Sequence, residues 1–474
     1  MSERTGVPGR WSRRVIGRAV ESGRSSLRTI GRAVVLTALA VIGLVSVVEG
    51  QEVTFWEGLR DSTLVRLIDE ALEANPSLAA AEARIEGASA ERFEAALDLA
   101  PTVTALGGYT RQRISGASFP GLSEPLPDQD VWEAGVRMSW DIDVFGSTRK
   151  SLQGRSGLLD AAREDVQDAR VLLSVAVAEG YFRLRGVQDR LAVARSNADN
   201  QRRTLAVTEE RLDAGRGTAL DTERARAQLS STLSAIPVLE GLATVEQNRL
   251  ATLLGREPGV VVGERPEGAA PAPLPERLVL PDAYEAIRQR PDILGAEHRL
   301  EASERFVGAA KAAYLPRISL QGAAGYTANA FDALGHTGTP RYAIGPLVSW
   351  PLLDLGRVKS GVDRARADAA VARATYEGAV LGARAEVESS RVQYERARER
   401  LQHLLDAAEA SGRATELARL RYEEGAGDFL EVLDAERRLL EAEDRLSEGR
   451  TAATNALVGV YRSLGVGLTG EVRR

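Results

Sequence analysis

The sequence reads RLDAGRGTALD at residues 211–221 and RYEEGAGDFLE 210 positions later, at residues 421–431. Both stretches place a Gly-x-Gly step after a long segment without proline, residues 146–213 in one case and 356–424 in the other. Each segment of about 68 residues would form a helix roughly 100 Å long at 1.5 Å per residue. Glycine supplies the positive φ needed just after a helix end. The pattern predicts two long helical hairpins, at residues 146–254 and 356–465.

Further matches in the same order indicate that the chain is an internal repeat. Residues 100–103 (APTV) match 315–318 (LPRI), residues 108–110 (GYT) match 325–327 (GYT), and residues 140–146 (WDIDVFG) match 350–356 (WPLLDLG). We therefore expect two structural repeats, residues 51–281 and 282–474. The first repeat ends in an extended connector, residues 256–281, which holds six of the chain's 18 prolines.

Period-two alternation of apolar and polar residues predicts two strands in each repeat. The predicted strands are residues 102–111, 131–142, 316–329 and 341–351. Their apolar faces carry aromatic residues near the strand ends, as in the girdle of a membrane β-barrel. The girdle residues would be Tyr109, Trp132, Trp140, Tyr326, Tyr342 and Trp350. A soluble sandwich, in which an aromatic residue also often ends a buried face, explains the strands alone equally well.

The long helices and the small number of strands favour the membrane barrel. Aliphatic residues lie among many Arg and Glu, which suits a coiled coil that shares a seam with its neighbours and keeps its other face in water. Four strands cannot close a barrel, since about eight are needed, and open sheet edges are not tolerated in lipid. Several copies would therefore share one barrel. The predicted fold class is mainly α with a membrane β-barrel and two repeats per chain.

The first 50 residues have the composition of a signal peptide. Eight arginines precede or border residues 33–48, which carry no charge. A cut before Gln51 would leave 53 Lys and Arg against 64 Asp and Glu, so the exported chain would be acidic. An uncleaved anchor helix is the alternative, and Arg13-Arg14 resembles a twin-arginine signal only faintly.

Composition and motifs exclude several other classes of protein. The chain has no Cys, which excludes a disulfide framework, a zinc finger and a thiol nucleophile. A net charge of −6 gives no basic excess for nucleic acid. His298, His336 and His403 lie apart, and no zinc-protease, P-loop or nucleophile-elbow motif is present. We expect no enzymatic activity, no metal and no cofactor.

In their order and spacing, the motifs resemble those of the TolC-type outer-membrane efflux proteins, including the nodulation-T branch. The resemblance is carried by Arg290-Pro291-Asp292-Ile293, by residues 313–318, by residues 350–357, by Arg421-Tyr422 with Gly425, and by residues 432–437. Many members of that branch carry a lipidated amino-terminal Cys. This chain has none, so we expect it to be held by its barrel alone.

The resemblance implies a homotrimer with a twelve-stranded barrel in outer-membrane lipid. A periplasmic α-barrel tunnel of twelve helices would continue it. The implied function is the exit duct of a tripartite efflux or secretion system, fed by an inner-membrane pump through a periplasmic adaptor protein. The alternative is a periplasmic coiled-coil adaptor, or a structural protein, that bridges the two membranes without a pore. Such adaptors have one hairpin rather than two repeats.

The resemblance also implies a gate at the periplasmic end of the hairpins. The residues assigned to the gate are Asp221, Leu430, Glu431, Asp434, Arg437, Arg421 and Tyr422. Leu430 would form an apolar constriction, the three acidic residues would form charged rings, and Arg421 and Tyr422 match the family's latch positions. The tip glycines Gly215, Gly217, Gly425 and Gly427 would mark the adaptor docking site. An ordinary solvated helix face is the alternative reading of the charges.

Overall fold

The computed structural model describes residues 56, 59, 61–115, 127–263 and 283–465. The predicted signal peptide, residues 1–50, lies outside the described residues. So does most of the predicted connector, from residue 264 onward.

The two halves of the described chain contain the same kinds of element in the same order. The first half consists of α1 (Ser62–Ala74), α2 (Pro76–Leu97), β1 (Thr102–Gln112), β2 (Gln129–Ile142), α3 (Ser147–Asp213) and α4 (Ala219–Leu253). The second consists of α5 (Ala283–Arg288), α6 (Pro291–Ala312), β3 (Arg317–Ala328), β4 (Pro340–Ser349), α7 (Leu355–Glu423) and α8 (Phe429–Leu464). A short 3-10 helix, Phe331–Ala333, lies between β3 and β4. The mainly helical class expected from the sequence is confirmed.

Helices α3 and α7 are the longest elements, with 67 and 69 residues. Alanine, arginine and glutamate have high helix propensity, and neither segment contains a proline to interrupt it. Ion pairs one turn apart line the exposed faces; Arg391, for example, lies 2.7 Å from both Glu388 and Glu395. Every described helix is either too short or too polar for a membrane span.

The four long helices pack in the order α4, α3, α8, α7, which leaves α4 and α7 at the two ends of the layer. The short helices α1 and α2 pack on α3, and α6 packs between α3 and α7. The main hydrophobic core lies where α1 meets the middle of α3 and the ends of α4 and α8. Leu67, Tyr181, Leu250 and Leu457 form its centre and are at most 2% exposed.

The strands form one antiparallel sheet in the order β1-β2-β3-β4. The register puts the even-numbered residues 132–142 of β2 on the same face as the odd-numbered residues 103–109 of β1. The even-numbered residues 318–326 of β3 and 342–348 of β4 share that face. All of these residues are apolar, whereas the opposite face carries the Thr, Ser, Gln and most of the charged residues.

Strand β4 ends earlier than the alternation indicated. Trp350 and Pro351, which belong to the predicted strand at 341–351, follow the strand in the structure. Pro351 has no N–H to continue a ladder. The indole of Trp350 instead donates to the carbonyl oxygen of Tyr314 at 3.1 Å, as the indole of Trp140 does to Leu99 at 2.9 Å.

In each half, the residue before a proline binds the carboxyl-terminal end of the second hairpin helix, α4 or α8. The side-chain amide of Asn75 donates to the carbonyl of Leu253 at 2.8 Å, and its side-chain oxygen caps α2. The guanidinium of Arg290 donates to the carbonyl of Ser463 at 2.6 Å. Both carbonyls lie in the last turn of a helix, where no intrahelical partner is present. These two clamps attach α4 to α2 and α8 to α6.

A glycine completes each clamp. Gly255 and Gly465 follow α4 and α8 with φ of 68° and 67°, a conformation that other residues adopt only with strain. A Cβ on Gly255 would clash with the carbonyl oxygen of Ala74, and one on Gly465 would lie 2.7 Å from the side chain of Arg290. The clamp therefore requires glycine at both positions.

The second clamp lies within a cluster of charges. Arg290 binds Asp292 through two nitrogens, each at 2.9 Å, and Glu386 at 2.9 Å. Arg462 also binds Glu386, at 2.7 Å. Asp168 of α3 lines the same cavity of about 170 Å³. Burial, with a further contribution from the negative charge of Asp292, raises the pKa of Asp168 from 3.8 to about 6.

The raised pKa predicts that ionised Asp168 destabilises the fold and that this effect depends on pH. An acid whose pKa is raised on folding stabilises the fold fully below its unfolded pKa, near 3.8, and this stability is lost as the pH rises through about 6. Asp168→Asn should therefore raise the Tm at about pH 7.5 and change it little at about pH 4. Calorimetry on the purified protein checks this. Asp213→Asn, at an exposed position of the same helix, is the control. An equal rise at both pH values would contradict ionisation as the cause.

Candidate functional site

Both hairpin tips turn at a glycine with positive φ. Gly215 has φ of 69° and Gly425 has φ of 73°. The next amide, of Arg216 or Ala426, donates to a carbonyl five residues earlier, at 2.8 Å in both tips. This is the bonding that closes a helix end when the following residue is left-handed.

Close packing favours the second glycine of each tip. A Cβ on Gly217 would lie 3.0 Å from the amide nitrogen of Leu212, and one on Gly427 would lie 3.1 Å from the Cβ of Arg421. All four tip glycines thus have a structural role. Their predicted contact with an adaptor stays a prediction.

Asp221, predicted to form an acidic ring, takes part in a capping arrangement at the start of α4. The hydroxyl of Thr218 donates to its carboxylate at 2.6 Å and accepts from its amide at 3.2 Å. The bond to the Thr218 hydroxyl satisfies one of the amides that the first helical turn leaves without a partner. In the second tip, Asp428 caps α8 and accepts from the amide of Leu430 at 3.2 Å.

Leu430 and Glu431 follow the second cap and both face solvent in the single chain. Leu430 is 49% exposed. The carboxylate of Glu431 lies 3.2 Å from the guanidinium of Arg421, which also donates to the carbonyl of Ala426 at 3.3 Å. Arg421 therefore joins the two arms of its own tip.

Asp434 has two arginine partners in the same helix. Its carboxylate lies 3.1 Å from Arg437 and 2.9 Å from Arg438. The sequence analysis identified Arg437 and missed Arg438, although its i+4 spacing is equally suited to an ion pair. The chain thus offsets the charge of Asp434 rather than presenting a free carboxylate.

Arg211 of the first tip reaches across to the second, a contact that the sequence analysis did not identify. Its guanidinium lies 4.1 Å from the ring centroid of Tyr422. It donates to the carbonyls of Tyr422 at 3.0 Å and Glu423 at 3.1 Å, in the last turn of α7. The Tyr422 ring in turn packs on Phe429, which is 1% exposed, with ring centroids 5.4 Å apart. We call the contact of Arg211 with Tyr422 and Glu423 the clasp.

The clasp is the last of four polar contacts between the hairpins, made by α3 residues seven positions apart. Arg190 binds Asp444 at 2.7 Å, Asn197 binds Glu443 at 2.8 Å, and Thr204 binds Glu436 at 2.9 Å before Arg211 reaches the tip. Seven residues is the repeat of a coiled-coil seam. The seam between α3 and the second hairpin is therefore marked by a polar ladder as well as by aliphatic residues.

Glu436 is the most buried member of this ladder, at 3% exposed. It is also bound by Arg419 of α7 at 2.8 Å. A buried carboxylate needs such charged partners, because removal of one leaves a charge without solvent or compensation. Glu436 thus joins α3, α7 and α8 within a single chain.

Five of the six predicted girdle residues lie on the apolar face of the sheet, and Trp350 directly follows β4. Tyr109 and Trp132 are register partners with ring centroids 4.6 Å apart, and Phe331 packs on Trp132 at 5.2 Å. Trp140 and Trp350 lie at the helical end, while Tyr342 is the most exposed of the set, at 86%. The aromatic residues thus stand near both ends of the apolar face.

No metal-binding cluster is found in the part of the chain that the structure describes. Within those ranges, no group of three or more His, Asp or Glu side chains is arranged to hold a metal ion. The predicted site residues instead separate into two regions, the aromatic-bordered sheet and the hairpin tips.

Comparison with known proteins gives consistent matches over most of the chain. A family model described as outer membrane efflux protein matches residues 67–256 and 283–466. Outer membrane protein OprJ of Pseudomonas aeruginosa is 31% identical over 417 residues, which cover 86% of this chain and 85% of OprJ. The solvent efflux pump outer membrane protein SrpC of Pseudomonas putida is 30% identical over 428 residues, 87% of each chain. A solved structure of the outer-membrane channel OprN has a TM-score of 0.81 and 37% identity, and covers 88% of this chain and 93% of its own.

The clasp predicts that the second tip is held in place by the first. Arg211→Ala removes a cation–π contact and two charged hydrogen bonds, so amide hydrogen exchange in residues 421–431 should accelerate by about ten-fold, equivalent to about 1.4 kcal/mol. Mass spectrometry of the exchanged protein measures this. Arg216→Ala is the matched control, since Arg216 is exposed and its side chain has no partner among the described residues. Unchanged exchange in the Arg211 variant would show that the clasp does not order the tip.

Proposed function

Since the chain belongs to the outer membrane efflux protein family, we propose that it is the exit duct of a tripartite efflux or secretion system. It conducts substrates passively from an inner-membrane pump and a periplasmic adaptor to the outside of the cell, and its gate lies at the hairpin tips. The family expected from the motifs is confirmed, and with it an outer-membrane location and a role as an efflux channel rather than an enzyme.

The sheet carries the proposal of a shared barrel. Between its aromatic borders one face is apolar, and the other carries most of the polar residues, which is the alternation of a strand between lipid and a water-filled lumen. Strands β1 and β4 lie at the edges of the sheet, and within the described chain neither has a second neighbour. Pairing β4 of one copy with β1 of the next closes the barrel, and three copies supply twelve strands.

The helices support the same closure. Helix α6 is covered by both α3 and α7, whereas its counterpart α2 packs on α3 alone among the long helices. The face that α2 leaves open carries small residues, Ala80, Ala83, Gly87 and Ala90. On α6, small residues face α3 in the same way, as where Ala302 meets Gly157. We infer that α7 of a second copy covers α2, which joins the helical layers into a tunnel.

The gate is proposed from the clasp and from the tip charges. In the closed state, Arg211 holds the second tip of the same chain close to the first. Three-fold symmetry would bring Leu430, Glu431 and Asp434 of three chains together at the axis, where carboxylates favour cations. Their arginine partners limit that preference. Opening then requires the second hairpin to move away from Arg211.

The pump and the adaptor are proposed from the relatives and from the chemistry of the chain. SrpC is named as the outer membrane protein of a solvent efflux pump. This chain has no nucleotide-binding motif, so we propose that an inner-membrane pump supplies the energy. The adaptor would dock at the exposed tips around Gly215 and Gly425.

Fractionation tests the duct against the alternative of a periplasmic adaptor. A barrel shared by several copies should appear in the outer membrane as a heat-modifiable oligomer of three chains, because antiparallel strand pairing resists detergent until it is heated. Electrophoresis of unheated and heated outer-membrane fractions measures this. Release of the chain by osmotic shock as a soluble species would support the adaptor instead.

Conductance in planar bilayers tests the gate. Tyr422→Leu and Arg211→Ala loosen the clasp and should raise the resting conductance, with Arg216→Ala as the control. An unchanged conductance in both variants would contradict the clasp as a closing contact.

The tip carboxylates are tested in the same bilayers. Replacing Glu431 and Asp434 by Ala should weaken cation preference and block by divalent cations, because the carboxylates that attract cations are removed and the nearby arginines are left without partners. The reversal potential in a salt gradient measures the preference. Unchanged selectivity would place both carboxylates outside the pore.

A further inference from the structure

The charged side chains of the four strands are paired with one exception. On the polar face, Arg341 lies 2.9 Å from Glu133 and Arg317 lies 3.6 Å from Asp141. At the loop end, Arg111 lies 3.3 Å from Asp128 and 3.6 Å from Asp130. Among the charged residues of the strands as the structure describes them, only Arg137 has neither an ion pair nor a side-chain hydrogen bond.

Arg137 lies halfway along the apolar span of β2 but on the opposite side. Trp132 and Ile142 bound that span, five residues away in each direction, and both point to the apolar face. Ten residues measure about 33 Å along a strand, which spans about 25 Å when the strand is tilted by roughly 40°. That height matches the apolar band of a membrane barrel, so Arg137 stands near the middle of the bilayer.

The surroundings leave the guanidinium free to extend from the sheet. Its register partners are Thr104 on β1 and Ala323 on β3, and Ala343 lies beyond on β4. All three are small, and Arg137 itself is exposed. An unpaired arginine at this height is strongly disfavoured against lipid, so the polar face on which it stands must be the wet one.

We propose that the Arg137 side chains of the copies that share the barrel form a ring of positive charge at its mid-height, which attracts anionic groups of the cargo. This inference rests on the proposed function and adds a selectivity element in the membrane section, far from the hairpin tips. The chemistry it suits is an oxyanion carried by an otherwise variable molecule, such as a carboxylate, because a guanidinium presents a planar fork of donors to it. Since the other lumen-facing charges cancel in pairs, Arg137 sets the sign of the potential at this level.

The absence of native cysteine allows the local potential to be read directly. Ser139 lies two residues from Arg137 on the same face and is exposed. We would place a reporter there by Ser139→Cys and measure its reaction rates with two methanethiosulfonates, one bearing a sulfonate and one a trimethylammonium group, in oligomers reconstituted into lipid vesicles. The ratio of the two rates cancels the intrinsic reactivity of the thiol. The labelling measurement does not require an open gate, because the reagents can enter from the extracellular side.

A unit charge about 10 Å away in water changes the local concentration of a monovalent ion by about two-fold. The anionic reagent is favoured and the cationic one disfavoured, so Arg137→Gln should lower the rate ratio by about four-fold at low salt, and less at high salt. Arg137→Lys should retain most of the ratio. Thr104→Arg added to Arg137→Gln should restore it, since Thr104 is the register partner. A second reporter, Ala426→Cys at the exposed tip, should not respond to any of these changes.

The outcomes separate this inference from the proposed function. If Cys at position 139 reacts with both reagents but the ratio is the same with Arg137 and with Gln, the charged ring is refuted and the barrel stands. If that thiol reacts with neither reagent while the tip reporter reacts with both, the polar face does not line a water-filled lumen, and the proposed duct fails along with the ring.

Discussion

The constraint on which the whole structure depends is the unpaired backbone at the two edges of a four-stranded sheet with one largely apolar face. In lipid, each edge N–H and C=O without a partner costs several kcal/mol, and water cannot replace that partner. The long helices meet a related requirement, because α4 and α7 end their layer with one side uncovered. In the proposed assembly, the addition of further copies around an axis satisfies both layers together. In that assembly, the connections from β2 to α3 and from β4 to α7 mark where barrel and tunnel join.

The two halves share their geometry but differ in chemistry at equivalent positions. The same clamp is made by the amide of Asn75 in one half and by the ion-paired guanidinium of Arg290 in the other. At the tips, Arg421 bonds within its own turn, whereas its counterpart Arg211 crosses to the other hairpin. The repeat thus places two similar hairpins side by side. The residues that differ between the halves determine that the first tip binds the second.

The sequence alone is informative where structure follows from a local period or a steric need. Alternation along β2 and β3 reveals the apolar face, and the tip glycines reveal the turns, because a positive φ or a close backbone approach selects glycine. Contacts between hairpins are different, since they depend on how each helix is rotated about its axis. In a chain with 27% charged residues, many ion pairs are equally compatible with the sequence. Arg211 with Tyr422 and the seven-residue ladder could be selected only by the packed structure, whereas the i+4 spacing of Arg438 from Asp434 was visible in the sequence. Arg137 also could be selected only by the structure. It stands out because every other charged residue of the described strands is paired.

Disulfide cross-linking between the sheet edges tests most directly whether copies of this chain share one barrel. With Cys at Thr104 of β1 and, in turn, at Ala343, Gly345 or Leu347 of β4, all on the polar face, oxidation of intact outer membranes should yield covalent dimers and trimers for at least one pair. These products should be lost when either cysteine is absent. Monomers alone across the whole set, from protein that is present in the outer membrane, would contradict the shared barrel.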